Sequence, residues 1–278
     1  MSDQVQVVQK GSGPPLVLIP GIQGRWEYVS PAVDALSASF RVVTFSLCGE
    51  RSSGLAYRAE AGLDNYVEQA RAAMDRAGID RAVVCGISFG GLVALRFAAR
   101  EPGRTAGLVL VSTPGPTWHL RPRYELYARA PLLFGPLFLA EASRRIRAEL
   151  RATFPHPADR RRFTRWQIGV LLRRPISPSR MAGRARLIAA ADRDRDCARV
   201  AAPTLIVTGE ASLERVVAVS HSAEYLPLIR DARLALLERT GHLGSITRPE
   251  AFAALVRGFC QARESVPERG APARQRTG

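Results

Sequence analysis

The chain has 278 residues, of which 46% are hydrophobic and 23% are charged, and its formal net charge at pH 7 is +15. With a mean hydropathy of −0.05, this composition excludes an intrinsically disordered chain and a membrane-spanning one, and it is typical of a globular protein with a large core. The N-terminal residues have neither the basic nor the apolar segment of a signal peptide, so we expect a cytoplasmic protein without a membrane span.

Short apolar segments alternate with helical patterns over the first 115 residues. Strands are predicted at residues 5–8, 16–19, 41–45 and 107–111, and a further strand begins at Ala82. Helices are predicted at about residues 30–39, 65–78 and 89–100. The first helix would have Ser30 as its N-cap, and the second would begin with a capping box formed by Asn65 and Glu68.

The alternation resumes after residue 202, with strands predicted at 203–209 and 233–237 and helices at 216–226 and 249–261. Apolar strands separated by helices indicate the α/β class, with a mostly parallel, doubly wound sheet formed by residues 1–112 and 203–262. Residues 113–202, which we call the cap, show helical patterns without a comparable strand and are predicted to be an inserted helical lid. Residues 263–278 are polar and rich in Pro and Arg, and we expect a disordered tail.

The positive charge is concentrated in the cap. From His119 to Arg199 there are 19 arginines against 7 acidic residues. Such a segment can attract anionic substrates, nucleic acid or an anionic membrane surface. Because stacking aromatic residues do not alternate with the arginines, we interpret them as solvated helix faces and expect no nucleic-acid partner.

The four cysteines, Cys48, Cys85, Cys197 and Cys260, are far apart and form no Cys-x-x-Cys pair. Reduced thiols in a cytoplasmic protein are the simplest interpretation, and we expect no metal site. Cys85 lies in an apolar segment, where a thiol packs as a small hydrophobic side chain.

The most specific motif is Gly86-Ile-Ser-Phe-Gly90, which lies between an apolar segment and an Ala- and Leu-rich helical pattern. This context is that of a nucleophile elbow, a tight strand-to-helix turn that exposes a serine hydroxyl at the carboxyl edge of a sheet. Glycine at both ends removes the Cβ atoms that would collide where strand and helix approach. Ser88 is therefore the candidate nucleophile.

Four segments together resemble the α/β-hydrolase family over about residues 5–262. They are Leu18-Ile-Pro-Gly-Ile-Gln-Gly24, Gly86-Ile-Ser-Phe-Gly90, Pro203-Thr-Leu-Ile-Val-Thr-Gly-Glu210 and Arg239-Thr-Gly-His-Leu243. The resemblance implies a catalytic triad in the chain order nucleophile, acid, histidine, and chemistry that needs no cofactor.

His242 is the candidate general base. A serine hydroxyl is a poor nucleophile at neutral pH and needs a base to take its proton. Of the four histidines, His242 follows the last predicted strand, where the family has its catalytic histidine. His119 and His156 lie in the cap, and His221 lies in a predicted helix.

The resemblance also implies an oxyanion hole formed by the backbone N–H groups of Ile22 and Phe89. Phe89 directly follows the candidate nucleophile, and Ile22 lies in the loop after the strand at residues 16–19. Pro20 stands where many family members have a histidine. This difference removes a side chain but leaves the amide of Ile22.

The acidic member of the triad has two candidate positions. Counting forward from Gly209 places Ser212 at the family's usual position, and a serine carries no charge to stabilise an imidazolium. Counting back from residue 216, at the start of the next predicted helix, places Glu214 there after a two-residue insertion. We expect Glu214 to be the acid. Glu210 is the alternative, and a dyad without an acid is a third arrangement.

These features predict a cofactor-independent serine hydrolase that cleaves a carboxylic ester of a small acyl compound through an acyl-enzyme. Hydrolysis of thioesters, lactones, amides or C–C bonds uses the same core, and the sequence does not separate these reactions. An alternative suggested by Ser212 is a catalytically inactive α/β-hydrolase that binds a small molecule or a protein partner. The sequence does not specify the oligomeric state.

Overall fold

Seven strands form one sheet in the computed structural model, which describes residues 4–264. The strands are β1 (Val8–Lys10), β2 (Pro15–Ile19), β3 (Arg41–Thr44), β4 (Ala82–Ile87), β5 (Thr105–Val111), β6 (Thr204–Thr208) and β7 (Ala232–Leu236). Their spatial order is β1-β3-β2-β4-β5-β6-β7. Only the β1–β3 pair is antiparallel among these strands, which confirms the predicted α/β class with a mostly parallel sheet.

Helices cover both faces of this sheet. They are α1 (Ser30–Leu36), α2 (Asp64–Arg76), α3 (Phe89–Arg100), α4 (Pro122–Arg129), α5 (Pro131–Thr153), α6 (Pro157–Arg173), α7 (Pro178–Ala190), α8 (Arg193–Arg199), α9 (Val219–Ala223), α10 (Tyr225–Leu228), α11 (Gly244–Thr247) and α12 (Pro249–Glu264). In β2, Leu16 and Leu18 belong to the core shared with α1 and α12, and Val17 and Ile19 to the core shared with α2 and α3. The sheet is therefore doubly wound, with a core on each face.

The first strand begins three residues later than the sequence pattern predicts, at Val8 instead of Val5. Val5 is buried outside the ladder, and the N–H of Gln6 donates to the carbonyl of Ser53 at 2.9 Å. The apolar residue at position 5 thus reflects packing against the core and not pairing in the sheet.

The boundaries of three helices also differ from those predicted. Helix α1 has Val29, not Ser30, at its N-cap. Helix α2 begins at Asp64, and the Asn65 side chain accepts from the N–H of Arg58 at 2.9 Å, so it fixes the preceding loop instead of capping the helix. The single helix predicted at 216–226 is replaced by α9 and α10, because Pro227 has no N–H to donate to the carbonyl of Ala223. The N–H groups of Val216 and Val217 donate to the Glu214 side chain in the turn before α9.

Five helices, α4 to α8, lie between β5 and β6 and within the cap. Helix α7 contacts α4 and α5, whereas α8 contacts α3 on the face of the sheet. An inserted helical segment is therefore confirmed, and its boundaries at residues 113 and 202 stay a prediction. None of the helices within residues 4–264 combines the length and the apolar character needed to cross a bilayer. The predicted tail lies outside the described residues, apart from residues 263 and 264 at the end of α12.

Strand β4, helix α3 and strand β2 meet closely at the turn that carries Ser88. A Cβ atom added to Gly86 would lie less than 3.0 Å from the Gly90 backbone, and one added to Gly90 would lie less than 3.0 Å from the carbonyl oxygens of Ile19 and Pro20. Backbone atoms cannot move aside as a flexible side chain can. Glycine is therefore required at both positions.

Gly90→Ala is expected to lower the free energy of unfolding by about 3 kcal/mol or more, because the added methyl group must displace the backbone of β2. Urea denaturation followed by circular dichroism measures this change. The control is Gly258→Ala in α12, where a new Cβ would have nothing within 4 Å. That substitution should leave stability unchanged or raise it by about 0.5–1 kcal/mol. A Gly90→Ala variant as stable as the wild type would contradict this account.

Candidate active site

Ser88 lies at the turn between β4 and α3, with φ 54° and ψ −115°. Few residues other than glycine adopt this left-handed conformation. The N–H of Ser88 donates to the Val111 carbonyl at 2.7 Å, and the Ser88 carbonyl accepts the N–H of Gly91 at 2.9 Å. These bonds anchor the turn to β5 and to the first turn of α3. The fold therefore holds Ser88 at the carboxyl edge of the sheet, as the motif predicts.

His242 lies in the loop after β7 and contacts both other members of the predicted triad. Its Nε2 is 3.2 Å from Ser88 Oγ, and its Nδ1 is 3.3 Å from Glu214 Oε2. These distances suit an imidazole that accepts a hydrogen bond from the serine hydroxyl at Nε2 and donates one to the carboxylate at Nδ1. The structure thus brings the three residues together, and their catalytic roles are proposed below.

Glu214 is held in place by the chain that follows it. Its Oε1 accepts the N–H of Val216 at 2.8 Å and the N–H of Val217 at 3.0 Å, which leaves Oε2 for His242. The carboxylate is fully buried, so these bonds replace the water it would otherwise bind. This local turn fixes the orientation of the acid toward the imidazole.

The other candidate residues lie elsewhere. Glu210 accepts the N–H of Arg239 at 2.6 Å, and Ser212 is exposed. His221 lies 2.8 Å from Glu224. The serine that motivates the inactive alternative is therefore not at the site. Within residues 4–264, no group of three or more His, Cys, Asp or Glu side chains is arranged to hold a metal ion.

Burial and neighbouring charges shift the pKa values of His242 and Glu214 in opposite directions. Burial alone would raise the pKa of Glu214, but the charge of His242 and the hydrogen bonds to the carboxylate bring this pKa below its usual value. Burial alone would lower the pKa of His242, but the carboxylates of Glu214 and Glu149 bring it above its usual value. The surroundings thus favour a negative Glu214 and stabilise a positive imidazolium.

The loop after β2 passes beside the Ser88 turn. A Cβ added to Gly21 would lie 3.4 Å from the Ile87 carbonyl oxygen and 3.8 Å from Ser88 Cβ. Ile22 follows in this loop, and Phe89 is the first residue of α3. The two backbone N–H groups predicted to form the oxyanion hole therefore belong to the two segments that border Ser88. Their role as donors stays a prediction.

A family model described as the alpha/beta hydrolase family matches residues 16–255. The chain belongs to this family. The matched range includes the Ser88 turn, the cap, Glu214 and His242.

Curated relatives and a solved structure agree with this membership. A pimeloyl-[acyl-carrier protein] methyl ester esterase of Nitrosomonas europaea is 26% identical over 254 residues, which are 89% of this chain and 96% of the relative. A 2-hydroxy-6-oxo-2,4-heptadienoate hydrolase of Pseudomonas putida is 26% identical over 269 residues, 91% of each chain. The structure of the enol-lactonase from Burkholderia xenovorans LB400 has a TM-score of 0.72 at 24% identity and covers 92% of this chain and 96% of its own. The family fold thus extends over nearly the whole chain.

An arginine of the cap contacts the Ile22 loop of this family fold. Arg184 in α7 is 2% exposed, and it donates from Nη1 to the Ile22 carbonyl at 3.0 Å and from Nη2 to Glu50 at 2.9 Å. Glu50 is also buried and pairs with Arg25 at 3.4 Å and with Arg180 at 3.2 Å. This cluster could not be predicted from the sequence, because Arg184 and Glu50 are 134 residues apart and no motif links them.

Glu149 of α5 is a second residue beside the site that the sequence motifs do not indicate. It is 1% exposed, and its Oε1 accepts the N–H of Leu243, next to His242, at 2.9 Å. Burial raises the pKa of Glu149 to about 7. Thr153, one turn later on α5, donates its hydroxyl to the Arg239 carbonyl at 2.7 Å. The four-residue spacing of Glu149 and Thr153 is the signal that could have indicated a shared contact face.

Arg184→Met is expected to lower the free energy of unfolding by about 3 kcal/mol, because it removes the closest cation from a buried carboxylate. Arg180→Met is the control, since Arg180 pairs with the same Glu50 but its side chain is 40% exposed. It should cost less than about 1 kcal/mol. Urea denaturation of both variants measures the difference, and equal losses would show that burial of the Arg184 pair is unimportant.

Proposed function

We propose that this member of the alpha/beta hydrolase family is a cofactor-independent serine hydrolase that cleaves carboxylic esters through an acyl-enzyme on Ser88. The main support is the chain of contacts from Ser88 through His242 to Glu214, at 3.2 and 3.3 Å. A hydroxyl, an imidazole and a buried carboxylate in this order activate a serine for attack on a carbonyl. Similarity to a methyl ester esterase supports the choice of an ester bond.

In the first half of the reaction, Nε2 of His242 takes the proton of Ser88 Oγ as this oxygen attacks the carbonyl carbon of the ester. The negative charge moves to the carbonyl oxygen, where the N–H groups of Ile22 and Phe89 would donate hydrogen bonds. The C–O bond to the alcohol then breaks, and His242 gives its proton to the departing oxygen. Glu214 stabilises the imidazolium between the two transfers.

In the second half, a water molecule takes the place of the alcohol. His242 accepts a proton from this water as its oxygen attacks the acyl carbon, and it returns the proton to Ser88 Oγ when the acyl–enzyme bond breaks. One ester and one water molecule thus give one alcohol and one carboxylic acid. The side chains of Ser88 and His242 end in their starting protonation states.

The cap begins close to the candidate nucleophile along the sheet. We expect it to select the acyl group of a small-molecule substrate. It begins directly after β5, whose last residue, Val111, accepts the hydrogen bond from the N–H of Ser88. Apolar side chains inside the cap pack on one another, as Phe163 does with Phe154 and Trp166 at ring distances of 5.3 and 5.5 Å. We expect an apolar lid of this kind to favour uncharged acyl groups of limited size over larger or highly charged ones.

Ser88→Ala should abolish hydrolysis of p-nitrophenyl esters and labelling by a fluorophosphonate probe, because it removes the nucleophile while deleting little core volume. His242→Ala should lower kcat by about three orders of magnitude or more, since base and nucleophile act as a unit. Circular dichroism verifies that both variants are folded. Full esterase activity in folded Ser88→Ala would refute the mechanism, and a folded wild type that the probe does not label would favour a binding protein.

Glu214→Gln should lower kcat by about four orders of magnitude, because it keeps the size of the side chain but removes the charge that stabilises the imidazolium. Glu210→Gln is the matched control, since its carboxylate contacts the backbone of Arg239 and not His242. We expect this variant to change kcat by no more than a few-fold. A large loss in Glu210→Gln together with a small one in Glu214→Gln would assign the acid to Glu210.

A further inference from the structure

Two buried carboxylates, not one, act on His242. The first is Glu214, which contacts Nδ1 and is the acid of the proposed triad. The second is Glu149 of α5, whose side chain is 1% exposed and whose charge acts on the imidazole from the cap. The mechanism above has no use for this second carboxylate. A buried acidic group has a high desolvation cost, so its presence beside the base calls for a physical reason.

Helix α5 is attached to the histidine loop by two hydrogen bonds that flank His242. Glu149 Oε1 accepts the N–H of Leu243 at 2.9 Å, on one side of the histidine. The Thr153 hydroxyl donates to the carbonyl of Arg239 at 2.7 Å, on the other side. A Cβ on Gly241 would lie 3.0 Å from Glu149 Oε2, so the second carboxylate oxygen is also close to the loop backbone. The loop is therefore fixed to the cap as well as to the sheet.

The charged groups that act on Glu149 or on His242 come from three elements. His242 in the loop after β7 favours the charged form of Glu149, and Glu214 in the loop after β6 opposes it. Arg145, one turn earlier on α5, acts on His242 and opposes its protonation. Of these groups, the imidazolium that forms during catalysis is the one that a negative Glu149 would stabilise most directly.

We propose that Glu149 is a positioning residue of the active site, which fixes the histidine loop to the cap and supplies a second negative charge to the imidazolium of His242. This proposal rests on the proposed function, because it assumes that His242 is the general base. When Ser88 transfers its proton, the new positive charge is then shared between Glu214 and Glu149. The two acids differ in their contacts, since Glu214 bonds to the ring and Glu149 bonds to the backbone beside it.

Glu149 and His242 should titrate as a coupled pair. The pKa of Glu149, raised by burial, is about 7, and the pKa of His242 is also above its usual value. Because each charge favours the charged form of the other group, we expect protons to bind in steps that belong to the pair and not to either residue. Removal of the Glu149 charge takes away an anion that favours the protonated imidazole. The pKa of His242 must then fall.

The test is the pH profile of kcat/KM for a p-nitrophenyl ester with wild type, Glu149→Gln, Glu149→Asp and Thr153→Val. The acidic limb of this profile reports the pKa of the base in the free enzyme. In Glu149→Gln we expect this limb to move to lower pH by about one unit, with a loss of about tenfold in kcat. Glu149→Asp keeps the charge and should keep the limb close to that of the wild type.

Thr153→Val is the matched control, because it removes an uncharged anchor between the same helix and the same loop. It should lower kcat by a few-fold and leave the acidic limb in place. A Glu149→Gln limb that coincides with that of the wild type would overturn the proposal. A limb that moves equally in Thr153→Val would also overturn it, since the shift would then come from loop anchoring and not from charge.

Titration of the His242 ring by NMR separates this proposal from the proposed function. It is measured in Ser88→Ala with and without Glu149→Gln, where no turnover is required. A fall in the His242 midpoint with Glu149→Gln supports the proposal even if the wild type hydrolyses no ester. An unchanged midpoint overturns it. If Glu149→Gln fails to fold, the titration of Ser88→Ala alone decides: a second step of the His242 ring near pH 7, the pKa of Glu149, supports the proposal, and a single step overturns it.

Discussion

The candidate site depends on the left-handed backbone of Ser88. A φ of 54° costs a residue other than glycine about 1–3 kcal/mol, and the surrounding structure must supply this energy. It does so through the hydrogen bond to Val111 in β5 and through the close contact of β2, β4 and α3 that glycines at positions 86 and 90 allow. A relaxed turn would move the hydroxyl away from His242. The position of the Ser88 hydroxyl therefore depends directly on the packing of the core around this turn.

The cap contributes buried charge on two sides of Ser88. Arg184 contacts the loop that contains Ile22, and Glu149 contacts the loop that contains His242. Both side chains are almost fully buried, so solvent and salt screen them far less than the exposed arginines of the same segment. These two residues join the inserted segment to the loops of the sheet. The cap is thus part of the framework that holds the two loops beside Ser88.

Local chemistry determined which features could be predicted from the sequence. The Ser88 turn is set within a few residues and is present as expected. Glu214 does contact His242, although the next helix begins at Val219 and not at residue 216, from which Glu214 was counted. The single helix predicted at 216–226 is wrong because Pro227, just beyond it, lacks the N–H that would join α9 and α10 into one helix. Arg184 and Glu149 have partners 134 and 94 residues away along the chain. Helical periodicity explains their position on a helix but carries no information about such distant partners.

In the proposed hydrolase, the attachment of α5 to the histidine loop would link the fit of a substrate to its reactivity. A substrate that displaced α5 would pull the histidine loop with it through the bonds from Glu149 and Thr153. His242 would then lose its 3.2 Å contact with Ser88 while the ligand stays bound. Discrimination of this kind lowers kcat more than it raises KM. Oversized esters would therefore occupy the site without being cleaved and act as competitive inhibitors of the smaller ones.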